Sequence, residues 1–296
     1  MRWRRRIGHL SLLAAAGLFC CLALTARGAE KEEQGDKEKE SERVQDLRDG
    51  KNFLETKVYS LEEDKEILKL YEGLRVADVS DGMDKAGLAH VGRMSTEILP
   101  AWEDHEGFEH RFVGIAVTAR YVPTNRPIPQ DMSAEEFNEW VSDWYQNTSS
   151  EAFRPLIREG TALVIDEASG VDVGSIGSNN IMSWRAAGCV GVVTDGTARD
   201  TDEVAAEGIP LYYRGPGRGI RPGRNELESV NRPIDCGGVL VEPGDVVVAD
   251  GDGVIVVPRR RAREVALYAR DILTKDKAGR RELYEELGIP LDESVK

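Results

Sequence analysis

Arg199 and Asp200 stand side by side in the stretch Gly188 to Glu203, GCVGVVTDGTARDTDE, where a guanidinium and a carboxylate could hold an anionic ligand and a hard metal ion. Val190, Val192 and Val193 spell a buried-type strand that stops on Asp195-Gly196 and restarts as a polar, acid-rich segment. That is the pattern of a strand–loop–helix junction. Such junctions carry chemistry in α/β proteins because a rigid sheet holds the loop that meets the ligand. The same two residues would also serve as a surface ion pair capping a helix. Their types alone leave both readings open.

The other candidates are weaker. Of the four His, His9 lies in an apolar N-terminal run, and His90, His105 and His110 form no HExxH or Cys/His cluster, which disfavours zinc. Asp250 and Asp252 in ADGDGV lack the remaining ligands of an EF-hand loop and read as a tight turn. Gly215 to Gly223 has the wrong spacing for a dinucleotide fingerprint, and Ile220-Arg221-Pro222-Gly223 does not open a helix. Arg214, Arg218, Arg221 and Arg224 in that loop either face an anionic substrate or are solvated charges, the plainer reading.

Short strands and helices must position these residues. Ser60-Leu61-Glu62-Glu63 is a capping box, followed by Leu61, Ile67, Leu68 and Tyr71 at helical spacing and by Gly73 as terminator. Val113 to Val122 and Ala162 to Asp166 are rich in β-branched residues and predict strands. Residues 123 to 158 form an insert, with Pro123, Pro127 and Pro129 preceding a helical pattern of Phe137, Trp140, Val141 and Trp144. Ordinary packing is the plain account of those aromatics, and a lid or a subunit contact is the sharper one. A helix is expected over Ile181 to Ala187 and strands at Val190 to Val193 and Ile209 to Tyr213. Val239 to Val241, Val246 to Ala249 and Val254 to Val257 are expected to close the sheet. A charged helical extension fills 259 to 296.

The chain of 296 residues carries 39 basic and 53 acidic side chains. Arg2, Arg4, Arg5 and Arg6 precede an apolar run from Leu10 to Ala26, and Ala26-Arg27-Gly28 offers small residues for cleavage. Residues 1 to 28 are therefore expected to be a signal peptide of an exported protein, an uncleaved membrane anchor being the alternative. Removing them leaves 34 basic against 53 acidic residues, a field that excludes a nucleic-acid partner. Residues 29 to 58 are too charged to offset their ordering entropy and read as a flexible tether. Cys189 and Cys236, the cysteines beyond the leader, sit in strand-like settings and are expected as buried thiols, one disulfide in an oxidising compartment being the alternative.

Four blocks in order, VADVSDGMDKAG (76 to 87), FVGIAVTARYV (112 to 122), DGTARDTDE, and RPIDCGGVLVEPGDVVVADGDGVIVVP (232 to 258), resemble the RraA-like family. That family includes 4-hydroxy-4-methyl-2-oxoglutarate aldolases and regulators of ribonuclease E activity. The resemblance implies an α/β fold of the swivelling β/β/α type over 59 to 258, with helical extensions at both ends and assembly as homotrimers or hexamers. It also implies that the backbone amides of Gly177, Ser178, Asn179 and Asn180 hold the carboxylate of a pyruvate-like ligand, as a helix start favours anions. By the same resemblance Arg199 contacts the substrate's oxygens and Asp200 holds a divalent cation, largely through waters.

A carboxylate-only site with several waters suits Mg²⁺, or Mn²⁺. The implied function is an exported, metal-dependent lyase that cleaves a 2-oxo acid to pyruvate enolate. In the aldolase branch the residue after the loop glycine is often acidic, whereas here it is Ser178. A non-catalytic binding or regulatory module on the same scaffold is the alternative. Inhibition of ribonuclease E fits poorly with an exported, acidic chain.

Overall fold

The computed structural model describes residues 44–46, 48–49, 56–167, 172–292 and 294–296. The leader expected at 1 to 28 and most of the tether at 29 to 58 lie outside the described residues. Thr56–Lys296 forms a compact unit. Among the described residues, no helix is long and apolar enough to cross a membrane.

The unit is built on one mixed sheet. Its core is four parallel strands, β2 (Phe112–Pro123), β3 (Thr161–Glu167), β5 (Cys189–Thr194) and β7 (Leu211–Tyr213). All seven residues of β3 are buried, as a parallel strand covered on both faces must be. β1 (Leu99–Pro100) pairs antiparallel with β7 at one edge. β12 (Val246–Asp250) and β13 (Gly253–Val257) form a hairpin at the other, β12 lying antiparallel to the first half of β2. The second half of β2 instead pairs with β9 (Asn225–Val230), across a bulge at Arg120/Tyr121.

Helices cover the sheet through two of its buried clusters. α1 (Leu61–Tyr71), α2 (Val76–Lys85) and α6 (Ala262–Leu287) pack on β12, β13 and Ile115 through Ile67, Val79, Met83, Val265 and Ala269. The Ser60/Glu63 capping box that starts α1 is present in full, a feature that typically contributes about 1 kcal/mol. On the far side, Ile181, Trp184 and Val204 from α4 (Ser178–Ala186) and α5 (Thr201–Ala206) pack on Val117, Leu163 and Val192. Asp250 accepts from the amides of Val76 and Asp252 through its two oxygens, so the ADGDGV acid caps α2 and shapes the β12–β13 turn. Cys189 and Cys236 are both buried and free.

Two sequence expectations are corrected. Val239–Val241 does not close the main sheet; as β11 it pairs, among the described residues, with β10 (Ile234–Cys236) alone, in a separate ribbon. Gly237 and Gly238, at φ 58° and 78°, turn the chain back on itself there. The C-terminal helix stops at Leu287, where Gly288 adopts φ 69° as a left-handed cap. The helix of the insert, α3 (Ala134–Asn147), buries Trp144, whose indole N–H donates to the Asn225 carbonyl at 3.0 Å. α3 is thus seated on the chain segment that leads into β9.

Candidate active site

Three very short strands follow where parallel strands of the main sheet end. β4 (Gly174–Ile176), β6 (Thr197–Ala198) and β8 (Gly215–Pro216) form a parallel sheet of their own. Gly177 follows β4, Arg199 and Asp200 follow β6, and the Gly217 to Arg224 loop follows β8. The carboxyl ends of parallel strands are where open α/β sheets bind ligands. The six residues singled out from the sequence all lie here.

Gly177 is the N-cap of α4, and the helix begins at Ser178 rather than at Ile181 as expected. Residues 177 to 180 are therefore a cap and a first turn, not a loop ahead of the helix. Apolar periodicity missed this turn because polar residues build it, with Asn180 turning its Oδ1 back to accept from the Gly177 amide at 3.4 Å.

Asp200 lies in the left-handed region at φ 55°, ψ 37°, a conformation Asp tolerates better than most side chains. Its Oδ2 accepts from the Ser178 amide at 3.2 Å. The Arg199 amide donates to the Ile176 carbonyl at 2.8 Å, tying the end of β6 to the end of β4. Among the described residues, the amides left without an acceptor at the helix start are those of Asn179 and Asn180. Arg199 Nε stands 3.8 Å from Asp200 Oδ2, beyond hydrogen-bond reach, and among the described residues it is buried without a hydrogen-bond partner.

Space is tight around this group. A Cβ on Gly177 would lie 2.7 Å from Asp200 Oδ2 and 3.4 Å from Arg199 Nε, and one on Gly174 would lie 2.7 Å from Arg199 Cβ. With φ −117° at Gly177, it is the close approach and not the backbone angle that calls for glycine.

Behind the site lies a polar layer that the sequence did not reveal. Arg221, placed among solvated loop charges, is only 5% exposed. Its Nη2 donates to Glu151 Oε1 at 3.0 Å and its Nη1 to the Tyr121 hydroxyl at 2.9 Å. Arg214 and Arg218 pair with Glu97 and Asp172, while Arg224 donates to the Ile220 carbonyl. Glu167, at the end of β3, accepts from Ser175 and, at 2.6 Å, from Asn225. Burial pushes its carboxyl up to about 7, partly offset by those hydrogen bonds. Asp195, the strand-stopping acid, accepts from the Glu167 amide at 2.9 Å and the Gly237 amide at 3.2 Å, which makes it a brace. No motif or spacing marks Glu151, Glu167 or Arg221, whose partners are tertiary.

A cavity of about 590 Å³ opens elsewhere, lined by Leu68, Lys69, Arg111, Phe112 and Val190 among others. Phe112 and Val190 belong to the starts of β2 and β5, the opposite end from Arg199 and Asp200. Size alone therefore does not mark the chemistry.

Among the described residues, no three His, Cys, Asp or Glu side chains gather to hold a metal ion. A hard cation that keeps several waters and takes oxygens from its ligand needs only one or two protein carboxylates. Asp200, exposed and fixed at Oδ2 by the Ser178 amide, fits that role.

A family model described as RraA-like, Aldolase/RraA, matches residues 76–256. A Halalkalibacterium halodurans protein named "Putative 4-hydroxy-4-methyl-2-oxoglutarate aldolase" is 31% identical over 129 residues, 43% of this chain and 60% of that one. The chain thus matches about three fifths of that curated relative's length. A solved structure of an uncharacterized protein from Pseudomonas syringae pv. tomato is 27% identical, with a TM-score of 0.58 over 78% of this chain and 98% of that one. Streptomyces coelicolor RraAS2, described as an unusual member of the RNase ES inhibitor RraA protein family, is 24% identical with a TM-score of 0.56, over 77% and 99%. That last likeness speaks for the fold.

Proposed function

Because the chain belongs to the RraA-like family, we propose that it is a divalent-metal-dependent lyase that cleaves a C–C bond of a 2-oxo acid and releases pyruvate enolate. The substrate class is that of 4-hydroxy-4-methyl-2-oxoglutarate or oxaloacetate. One observation carries the proposal: among the described residues, Arg199 Nε is a buried donor without a hydrogen-bond acceptor, held beside the Asp200 carboxylate and the start of α4.

In this mechanism the amides of Asn179 and Asn180 take the substrate carboxylate, aided by the positive end of the helix. Arg199 grips the substrate's oxygens and stabilises the negative charge that develops on the enolate oxygen. A donor already in place does so without reorganisation. A base removes the 4-hydroxyl proton, the C3–C4 bond breaks, and its electron pair passes into the enolate. The same enolate forms when oxaloacetate loses carbon dioxide. Asp200 would hold the cation, Mg²⁺ or Mn²⁺, with water and substrate completing its shell. Such an ion, when bound, polarises the 2-keto oxygen as a Lewis acid. No lysine Schiff base is required.

The same proposal takes the protein as exported, on its arginine-led apolar N-terminus, and as a homotrimer or hexamer by family resemblance. Ser178 favours a second reading. With a hydroxyl where the aldolase branch often has an acid, the site would bind a 2-oxo acid without turning it over.

A crystal structure with Mg²⁺ and pyruvate tests the shared part of both readings. The expected result is the pyruvate carboxylate on the Asn179 and Asn180 amides, with the ion at Asp200. Pyruvate bound only elsewhere, for instance in the 590 Å³ cavity, would reject both.

A further inference from the structure

Glu151 lies in the loop after α3, far from Arg199 in sequence, yet its carboxylate collects three side-chain donors. Oε1 accepts from Asn180 Nδ2 at 2.5 Å and from Arg221 Nη2 at 3.0 Å, while Oε2 accepts from the Trp184 indole N–H at 2.9 Å. Asn180 and Trp184 are successive-turn neighbours on one face of α4. Glu151 therefore grips the first turn of that helix and the turn behind it.

The contact with Asn180 has a specific consequence. A side-chain amide offers an oxygen on one side and an NH₂ on the other. A carboxylate accepts only, so it fixes the Asn180 NH₂ towards Glu151 and leaves Oδ1 facing the Gly177 amide, which donates to it at 3.4 Å. Flipped, the amide would set its NH₂ against the Gly177 N–H, donor to donor. The charge on Glu151 is itself matched. Arg221 is 5% exposed, and its guanidinium lies 5.5 and 5.0 Å from the ring centroids of Tyr121 and Tyr145. Without Arg221, a carboxylate behind the start of α4 would repel any anion bound there.

We propose that Glu151 is a positioning residue, which fixes the orientation of the Asn180 side chain and through it the Gly177–Asn180 turn, with Arg221 as its charge partner. The inference rests on the reading of that turn as the carboxylate-binding element. It also gives the insert a role: it delivers Glu151 to the back of the site.

The test compares wild type, Glu151→Asp, Asn180→Ala and the double variant, with pyruvate and Mg²⁺ as probes by calorimetry. Aspartate keeps the charge opposite Arg221 but is one methylene too short to reach Asn180. The expected result is pyruvate binding weaker on the order of tenfold in Glu151→Asp, as for a lost hydrogen bond to a charged group. The double variant should bind no worse than Asn180→Ala, because both changes break one linkage. Wild-type affinity in Glu151→Asp, or losses that simply add, would overturn the proposal.

A second measurement needs no variant. In the amide spectrum of the wild-type protein, the Asn180 side-chain NH₂ should carry one proton shifted downfield and protected from exchange. A resonance indistinguishable from a solvated asparagine would also overturn it. If wild type binds no pyruvate while the Asn180 amide is held as described, the carboxylate-site reading fails and the Glu151–Asn180 linkage stands.

Discussion

The Oδ2 atom of Asp200 accepts a hydrogen bond from the backbone amide of Ser178 at 3.2 Å, joining two segments 22 residues apart. The bond sets the carboxylate at the start of α4, and it depends on the left-handed conformation of Asp200. Asp200→Asn should keep both, since asparagine also tolerates that conformation, and should lose only the charge. Asp200→Ala should lose the charge and add backbone strain of about 1 kcal/mol. Mg²⁺ affinity by calorimetry is expected to fall in both variants, with the melting temperature lowered only in Asp200→Ala. Unchanged Mg²⁺ affinity would move the cation elsewhere.

Arg199→Lys separates charge from geometry. Lysine retains the positive charge but loses the planar fork and the buried Nε donor. Turnover of a 2-oxo acid should drop by roughly 100-fold or more, the scale for removing one oxyanion donor, with little change in unfolding midpoint. Retained turnover would make Arg199 structural.

Gly177→Ala adds a single methyl group whose carbon would stand 2.7 Å from Asp200 Oδ2. Since φ at Gly177 is −117°, alanine meets no backbone penalty there. The prediction is a folded protein with stability within about 1 kcal/mol of wild type but without measurable pyruvate binding. A variant that binds pyruvate normally would show that Asp200 need not stay where it lies.

The main strands and the capped start of α1 were legible because β-branched runs and a capping box are local signals. Arg199 and Asp200 stand out in the sequence because a strand ends in Asp-Gly just before them, whereas Gly177 follows only from the family resemblance. The strands that bring them together were not legible, since β4, β6 and β8 have only two or three residues and show no periodicity. β9, reading NELESV, is mostly polar and shows no apolar run; it is placed by pairing with the second half of β2 and by Leu227 and Val230 packing at the margin of the core. Glu151 and Arg221 are 70 residues apart, and nothing in either neighbourhood announces the other. Such pairs are fixed by tertiary packing.

Glu167 gives the fold a pH signature. Its carboxyl is pushed up to about 7 in the folded state, from an ordinary value of 4.5, because it is buried. Below pH 4.5 the folded and unfolded chains both hold the proton. Between pH 4.5 and about 7 the unfolded chain has released it and the folded chain has not, so stability falls as pH rises. Glu167→Gln mimics the protonated form and should flatten that decline, by about 1.4 kcal/mol for each unit of displacement removed. Denaturant unfolding at pH 5 and pH 7.5 measures it; an unchanged pH slope would contradict the assignment.

Pyruvate release from the purified protein, with oxaloacetate and with 4-hydroxy-4-methyl-2-oxoglutarate as substrates, decides whether the Arg199–Asp200 site is a metal-dependent lyase. Each is assayed with Mg²⁺, with EDTA, and with the Arg199→Ala variant. Turnover of at least one substrate should require the metal and disappear with Arg199. No turnover of either substrate by a protein that still binds Mg²⁺, or turnover that survives both EDTA and Arg199→Ala, would contradict that reading.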